Sequence, residues 1–295
     1  MYSCKNEGRK AFFGSTELKS LVFRISSFFQ VKLWYNIFVN TLITKNLTAF
    51  YKDKLILNNI SLNASSKEFI CLCGPNGSGK STLLSLLAGL PYDGLKITKA
   101  ETLPQVNGKI ISSLKRKECA SLIAFMQQSE YSQWNFTVRD FVLQGRYSQS
   151  HNGIYTKEDY SAVDSLLAEL NLDEFSERTI HTLSGGEFQK IRIARCLAQN
   201  PAFMLLDEPS SNLDYVYEPK LLEFLKTTAH TKNFGILIAI HNLDLARQFA
   251  DKIMLLPPQK PLIQGEPREV MTKENLKITF GVELECRKTE SFQLL

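Results

Sequence analysis

The sequence predicts an α/β fold, and three observations carry that prediction. From Thr41 onward, short β-branched or apolar runs alternate with stretches of helical spacing, the pattern of a layered sheet covered by helices. Four runs, at 69–73, 122–126, 203–206 and 236–240, are apolar throughout, as strands buried on both faces are. Each leads into chemistry: the first into a glycine loop, the second into Gln127 and Gln128, the third into Asp207 and Glu208, the fourth into His241. In open parallel sheets ligands bind beyond the carboxyl ends of the strands, so these four groups are expected to converge on one edge.

The remaining segments are read in the same way. Between about 129 and 182 the strand signal fades, and Val163, Leu166, Leu167 and Leu170 fall at helical spacing, which predicts a mainly helical insertion. The polar stretch 95–110, with Pro104 and Gly108, reads as a loop with one short strand or hairpin. Pro257, Pro258 and Pro261 mark a turn, followed by a short helix over 274–278. Residues 1–40 are rich in aromatics but interrupted by Lys19, Arg24 and Lys32, and hold no uncharged run long enough to span a bilayer. Leu18, Leu21, Val22, Ile25 and Phe28 follow helical spacing. Two readings stay open there: a basic amphipathic helix lying on a membrane or partner, or a leader outside the fold.

Composition narrows the function classes. A chain of 295 residues that is 44% apolar can bury an ordinary core, and its net charge of +5 is small and dispersed, which gives little support to a nucleic-acid footprint. No nucleic-acid partner is expected. The six cysteines lack CxxC spacing. Cys71 and Cys73 would share one face of a strand, and with no His or further Cys nearby they read as core packing in a reducing compartment.

The glycine loop, Gly74-Pro75-Asn76-Gly77-Ser78-Gly79-Lys80-Ser81, matches the eight-position phosphate-binding P-loop pattern in full and lies between a strand and a leucine-rich helix. Its backbone N–H groups would turn inward around the phosphates of ATP, with the following helix presenting its positive end to the same anion and Thr82 counted among the nucleotide-binding residues. Lys80 would reach the β- and γ-phosphates, and the Ser81 hydroxyl would join a Mg²⁺ shell. Asp207 reads as a carboxylate holding Mg²⁺ largely through water, and Glu208 as the group that accepts a proton from, or orients, the attacking water. A solvated acidic pair before Pro209 is the competing reading.

Leu183-Ser184-Gly185-Gly186-Glu187 has capping-box spacing and precedes Ile191, Ala194 and Leu197 at helical intervals, so a well-capped helix accounts for it structurally. A Ser-Gly-Gly turn at a helix start is also an anion receptor. With the phosphate loop and the acidic strand end, this turn makes the stretch from about Thr41 to Glu285 resemble an ABC-type ATPase. The resemblance implies a P-loop NTPase (RecA-like) core with a mixed sheet over about 41–128 and 183–288, an N-terminal antiparallel β subdomain, and a helical subdomain at about 129–182. Residues 1–40 would be an extension and 289–295 a tail.

In the family the Ser-Gly-Gly turn faces the γ-phosphate held by the opposite subunit, which implies a homodimer. The resemblance further casts Gln128 as the glutamine that touches Mg²⁺ and links to the membrane partner, and His241 as the histidine that orders the water. Tyr51 would stack on adenine, with a plain strand aromatic as the alternative. Ser211, Asn212, Leu213 and Asp214 would form the loop that crosses the dimer interface. Gln127 stands where a proline is common, and Asn242 where an aspartate is usual.

Within the family, Thr137-Val138-Arg139-Asp140, Gly145-Arg146-Tyr147 and Gly265-Glu266-Pro267 resemble the ATPase subunits of iron-siderophore, haem and cobalamin importers. That implies separate integral membrane permease subunits, an indirect link to a substrate-binding protein, and a peripheral place on the cytoplasmic face of the membrane. An importer ATPase for zinc, manganese or another small solute, or a non-transport ABC ATPase, is the alternative; a P-loop kinase or GTPase is disfavoured by the Ser184 turn and His241.

Overall fold

The computed structural model of the chain describes residues 39–130, 134–151, 153–210 and 216–282. The helical pattern expected at 18–28 lies outside these residues, as do Ser211, Asn212, Leu213 and Asp214.

Strand β1 (Thr41–Tyr51) is the centre of an antiparallel sheet. It pairs with β2 (Lys54–Ser65) on one side and with β4 (Leu95–Lys99) and β5 (Thr102–Val106) on the other, and β6 (Lys109–Ile110) extends β5. The stretch 95–110 therefore carries three strands where the sequence predicts a loop with at most one hairpin. Its strands hid because only Pro104 and Val106 among the residues of β4, β5 and β6 are buried, so the alternating apolar signal is faint. Pro104 falls at the register shift between the Ile43–Gln105 and Lys45–Thr102 pairs, where a residue without an N–H is tolerated.

The second sheet contains β3 (Phe69–Cys73), β7 (Ile123–Met126), β8 (Phe203–Asp207), β9 (Gly235–Ala239), β10 (Lys252–Leu255) and β11 (Ile263–Gly265). Their order is β11-β10-β3-β9-β8-β7, and every neighbouring pair is parallel except β10 with β11. All four apolar runs of the sequence are strands here. The second begins one residue later than expected, because Leu122 closes helix α2 (Arg116–Leu122).

Strand β3 shows why these runs are apolar throughout. Ile70 and Leu72 point to a core shared with the antiparallel sheet and with helix α1 (Lys80–Leu87), while Phe69, Cys71 and Cys73 point to the opposite core. All five are at most 1% exposed, and burying each large apolar side chain is worth about 1.5–3 kcal/mol. Burial pushes the Cys73 thiol up to about 12, so it stays protonated and packs as a small apolar group.

Residues 134–151 and 153–182 fold as helices and turns joined by a bridge between Thr137 and Thr179. Helix α3 (Val138–Leu143) is capped by the Thr137 hydroxyl, which accepts from the Asp140 N–H, and α4 (Lys157–Glu169) by a capping box of Thr156 and Asp159. Both pack on α5 (Gly185–Ala198), and Val163, Leu166, Leu167 and Leu170 are all buried. Arg139 forks onto Asp164 at 2.7 and 2.6 Å, and Arg146 bonds Asp159 at 3.0 Å. The motifs at Thr137 and Gly145 are thus the joints of this helical unit. Helices α6 (Tyr217–Lys232), α7 (Leu243–Phe249), α8 (Pro267–Val270) and α9 (Lys273–Phe280) complete the cover of the parallel sheet.

Gly145 marks the closest approach, since a Cβ there would lie 2.2 Å from the Arg195 carbonyl oxygen on α5. Gly145→Ala should destabilise the fold by about 1–3 kcal/mol, the usual cost of overpacking. Urea unfolding followed by circular dichroism measures it, and an unchanged midpoint would contradict the packing described.

Candidate nucleotide site

The carboxyl ends of β3, β7, β8 and β9 bring together the residues that the sequence singled out. The loop after β3 enters α1 through Gly79, whose φ of 102° is a conformation L side chains rarely adopt, and a Cβ there would meet the Leu57 side chain at 2.9 Å. The Ser78 N–H donates to the Pro75 carbonyl at 3.2 Å, and the Lys80 ammonium donates to the carbonyls of Gly74 at 2.9 Å and Pro75 at 3.3 Å. Lys80 is only 5% exposed. Burial pulls its pKa below the ordinary lysine value, and the charges of Glu208 and Asp207 partly offset that pull.

Two acceptors at this edge are conspicuous. The buried Ser78 Oγ and Asp207 Oδ1 have no hydrogen-bond partner, although buried polar atoms almost always have one. The neighbouring Ser81 hydroxyl draws the Asp207 carboxyl downward in pKa. Burial, aided by the neighbouring Glu208 charge, holds its carboxyl above the usual range, against the opposing pull of Ser81, Lys80 and His241. A half-satisfied carboxylate beside a serine hydroxyl is a donor set that suits Mg²⁺, which takes hard oxygen ligands. The charge count agrees: one ammonium faces two carboxylates, so an entering polyphosphate needs further positive charge.

Glu208 is gripped from both sides. Gln128 Nε2 donates to Oε2 at 2.6 Å, and His241 Nε2 meets Oε1 at 2.5 Å. Its backbone takes a φ of 51° immediately before Pro209, a strained setting that costs on the order of 1–3 kcal/mol and persists where surrounding structure holds it. Asn242, the unusual residue after the histidine, caps α7 by accepting from the N–H groups of Asp244 at 3.1 Å and Leu245 at 3.2 Å. It therefore fixes the turn that presents His241.

Other expected residues stand apart from this cluster. Ser184 and Glu187 form the capping box: the Ser184 N–H donates to Glu187 Oε2 at 2.7 Å, and Ser184 Oγ accepts from the Glu187 N–H at 3.3 Å. Backbone and side-chain bonds with Ser184 draw the Glu187 carboxyl below its usual range. Among the described residues no hydrogen bond or ion pair joins Ser184, Gly185, Gly186 or Glu187 to the phosphate loop, and the first-turn N–H groups of Gly185 and Gly186 have no intrahelical acceptor. Tyr51 is 42% exposed at the end of β1, with the Lys52 ammonium 5.7 Å from its ring centre. It lies beside Gly94, in the turn whose Tyr92 hydroxyl donates to the Ser81 carbonyl at 3.4 Å. Asp214 falls outside the described residues. Sequence reasoning missed Glu130, Gln189 and Arg192, which support the cluster from behind.

A strand, a glycine loop ending in Lys-Ser, a helix, and an acidic pair on a neighbouring parallel strand together define a P-loop nucleotide hydrolase. The comparisons sharpen this. The family described as ABC transporter matches residues 57–211. The petrobactin import ATP-binding protein FpuD of Bacillus anthracis is 34% identical over 241 residues, covering 81% of this chain and 86% of that protein. The ferric enterobactin transport ATP-binding protein FepC of Escherichia coli is 32% identical, with 81% and 86% covered. A solved structure described as a metal-chelate type ABC transporter in an inward-facing conformation superposes with a TM-score of 0.70 at 28% identity, covering 83% of this chain and 90% of that one. The chain belongs to the ABC transporter family and is one of its ATP-binding, ATP-hydrolysing members.

The Asp207 environment yields a signed expectation. Its folded pKa lies above its unfolded one, so its contribution to stability is complete below the unfolded pKa and is lost as pH rises through the folded value. Asp207→Asn removes that loss. The variant should melt above wild type by a margin that grows from acid to neutral pH, and it should lose the added stability that Mg²⁺ gives in the presence of ATP. Thermal melts across pH measure both, and a margin that shrinks toward neutrality would contradict the burial argument.

Proposed function

We propose that this chain energises uptake of a metal chelate, an iron-siderophore, haem or cobalamin, through separate integral membrane permease subunits supplied by a substrate-binding protein. The observation that carries the hydrolytic part is Glu208, held by Gln128 and His241 next to Lys80 and Asp207. The chelate part is supported by the relatives named for petrobactin import and ferric enterobactin transport, matched over about four-fifths of this chain. The chain then acts peripherally at the cytoplasmic face of the membrane. No helix among the described residues is long and apolar enough to cross a bilayer.

In this reading the loop from Gly74 to Thr82, through its N–H groups other than at Pro75, and the Lys80 ammonium bind the phosphates. Ser81, Asp207 and Gln128 hold Mg²⁺, which when bound neutralises the phosphate oxygens and orients them. Each Glu208 oxygen accepts one protein hydrogen bond and keeps a lone pair, so the carboxylate orients the attacking water and takes its proton. His241 fixes Glu208 through one oxygen and lies at the same edge to order the water. Tyr51 stacks on the adenine. The turn at Ser184, Gly185, Gly186 and Glu187 serves the phosphate held by a second copy of the chain, with Asp214 at that interface, so the working unit is a homodimer.

Glu208→Gln keeps the side-chain shape, and with the His241 tautomer reversed it keeps both contacts, but it loses basicity. ATP binding should persist while turnover falls by roughly 10²–10⁴; undiminished hydrolysis would remove the role assigned to Glu208. Lys80→Ala should weaken nucleotide binding as measured by titration calorimetry, and unchanged affinity would count against the phosphate cradle.

A further inference from the structure

Helix α5 carries two buried polar side chains that nothing in the phosphate chemistry requires. Gln189 is 2% exposed and Arg192 is 3% exposed, and at a spacing of three they share one face of the helix. Groups so polar are buried only when their bonds are satisfied, and here the partners are informative. Gln189 Nε2 donates to the carbonyl of Pro209, the residue after Glu208. Arg192 Nη2 donates to the carbonyl of Gln127, the residue before Gln128. Arg192 Nη1 donates to Gln189 Oε1 at 2.9 Å, which fixes the amide with its N–H toward Pro209. Glu130 closes the arrangement, accepting from Arg192 Nε at 3.1 Å and from Arg195 at 2.5 and 2.8 Å.

The result is a closed ring. In front, the side chains of Gln128 and Glu208 bond each other; behind, the backbone carbonyls next to each are tied together through Arg192 and Gln189. We infer that Gln189 and Arg192 are positioning residues: they form a clamp that sets the spacing of Gln128 and Glu208, holds the left-handed Glu208 backbone in place, and links both loops to the helix that begins at Ser184. Any shift of α5 must then move both loops together. The guanidinium fork matters, because only a planar group with several fixed donors can hold a carbonyl, an amide and a carboxylate at once. This inference rests on the catalytic reading of Glu208 given above.

The test uses the purified full-length chain and Mg-ATP, comparing Gln189→Met, Arg192→Lys, Glu208→Gln and the double variants carrying Glu208→Gln. Gln189→Met is close to isosteric and leaves the Arg192–Glu130 pair in place; Arg192→Lys keeps the charge but not the fork. Each should lower kcat about 10-fold to 10²-fold, the range that misplacing a reacting group costs, with KM for ATP within about twofold. In the Glu208→Gln background each should lower the residual rate by a much smaller factor, because one of the two groups they position is already disabled. An equal loss in both backgrounds would make the clamp merely structural and overturn the inference, as would wild-type kcat in Arg192→Lys or a change confined to KM. Wild-type turnover in Glu208→Gln alone would overturn the catalytic reading and the clamp with it, whereas a normal Glu208→Gln effect beside an unmoved Gln189→Met would overturn the clamp alone.

Discussion

The charge balance at the carboxyl edge of the parallel sheet is the constraint on which the rest depends. Lys80 sits buried against Asp207 and Glu208, so the edge already holds more carboxylate than ammonium before any phosphate arrives. A polyphosphate can be taken in only if positive potential comes from elsewhere: from loop N–H groups, from the N-terminus of α1, from a divalent cation at Ser81 and Asp207, and from groups outside the loop. This explains the division of labour in the chain. The residues proposed to grip phosphate and those proposed to activate water lie at one edge, while the second helix start, at Ser184, stands apart with first-turn donors that the proposed homodimer would turn toward another copy's anion.

The fold serves that balance by separating rigid and adjustable parts. Strands β3, β8 and β9 are buried on both faces, so the ends from which Gly74, Asp207 and His241 emerge are fixed by two cores. Gln128 and Pro209 lie in loops and owe their positions to polar bonds with α5 instead. That helix packs on the helical region through the tight contact at Gly145 and the Arg195 guanidinium, 4.4 Å from the Phe141 ring centre. The helical region and the residues proposed to activate water thus share one helix.

How much of this could be read from the sequence depended on how each residue earns its place. The four buried strands were legible because parallel strands with two covered faces must be apolar from end to end, and the phosphate loop because its glycines meet a backbone requirement that few other residues meet. The strands within 95–110 were not, since β4 and β6 bury no side chain and β5 buries only Pro104 and Val106. Gln189 and Arg192 were invisible for a different reason: beside Ile191, Ala194 and Leu197 a polar residue on an amphipathic helix reads as solvated, and only the tertiary approach of two loops buries it. Glu208 was visible as an acid, but its left-handed backbone was not. The pairing of Ser184 and Glu187 was correctly read as a cap, yet nothing in a cap states what its free N–H groups face.

The central claim is that one copy of the chain does not supply a complete charge environment for the triphosphate. The most direct measurement is ATP turnover per molecule of purified chain across a wide dilution series at saturating Mg-ATP. The account predicts a rate per molecule that falls steeply once the concentration drops below that needed for two copies to meet. A rate per molecule that stays level through the whole series would contradict it.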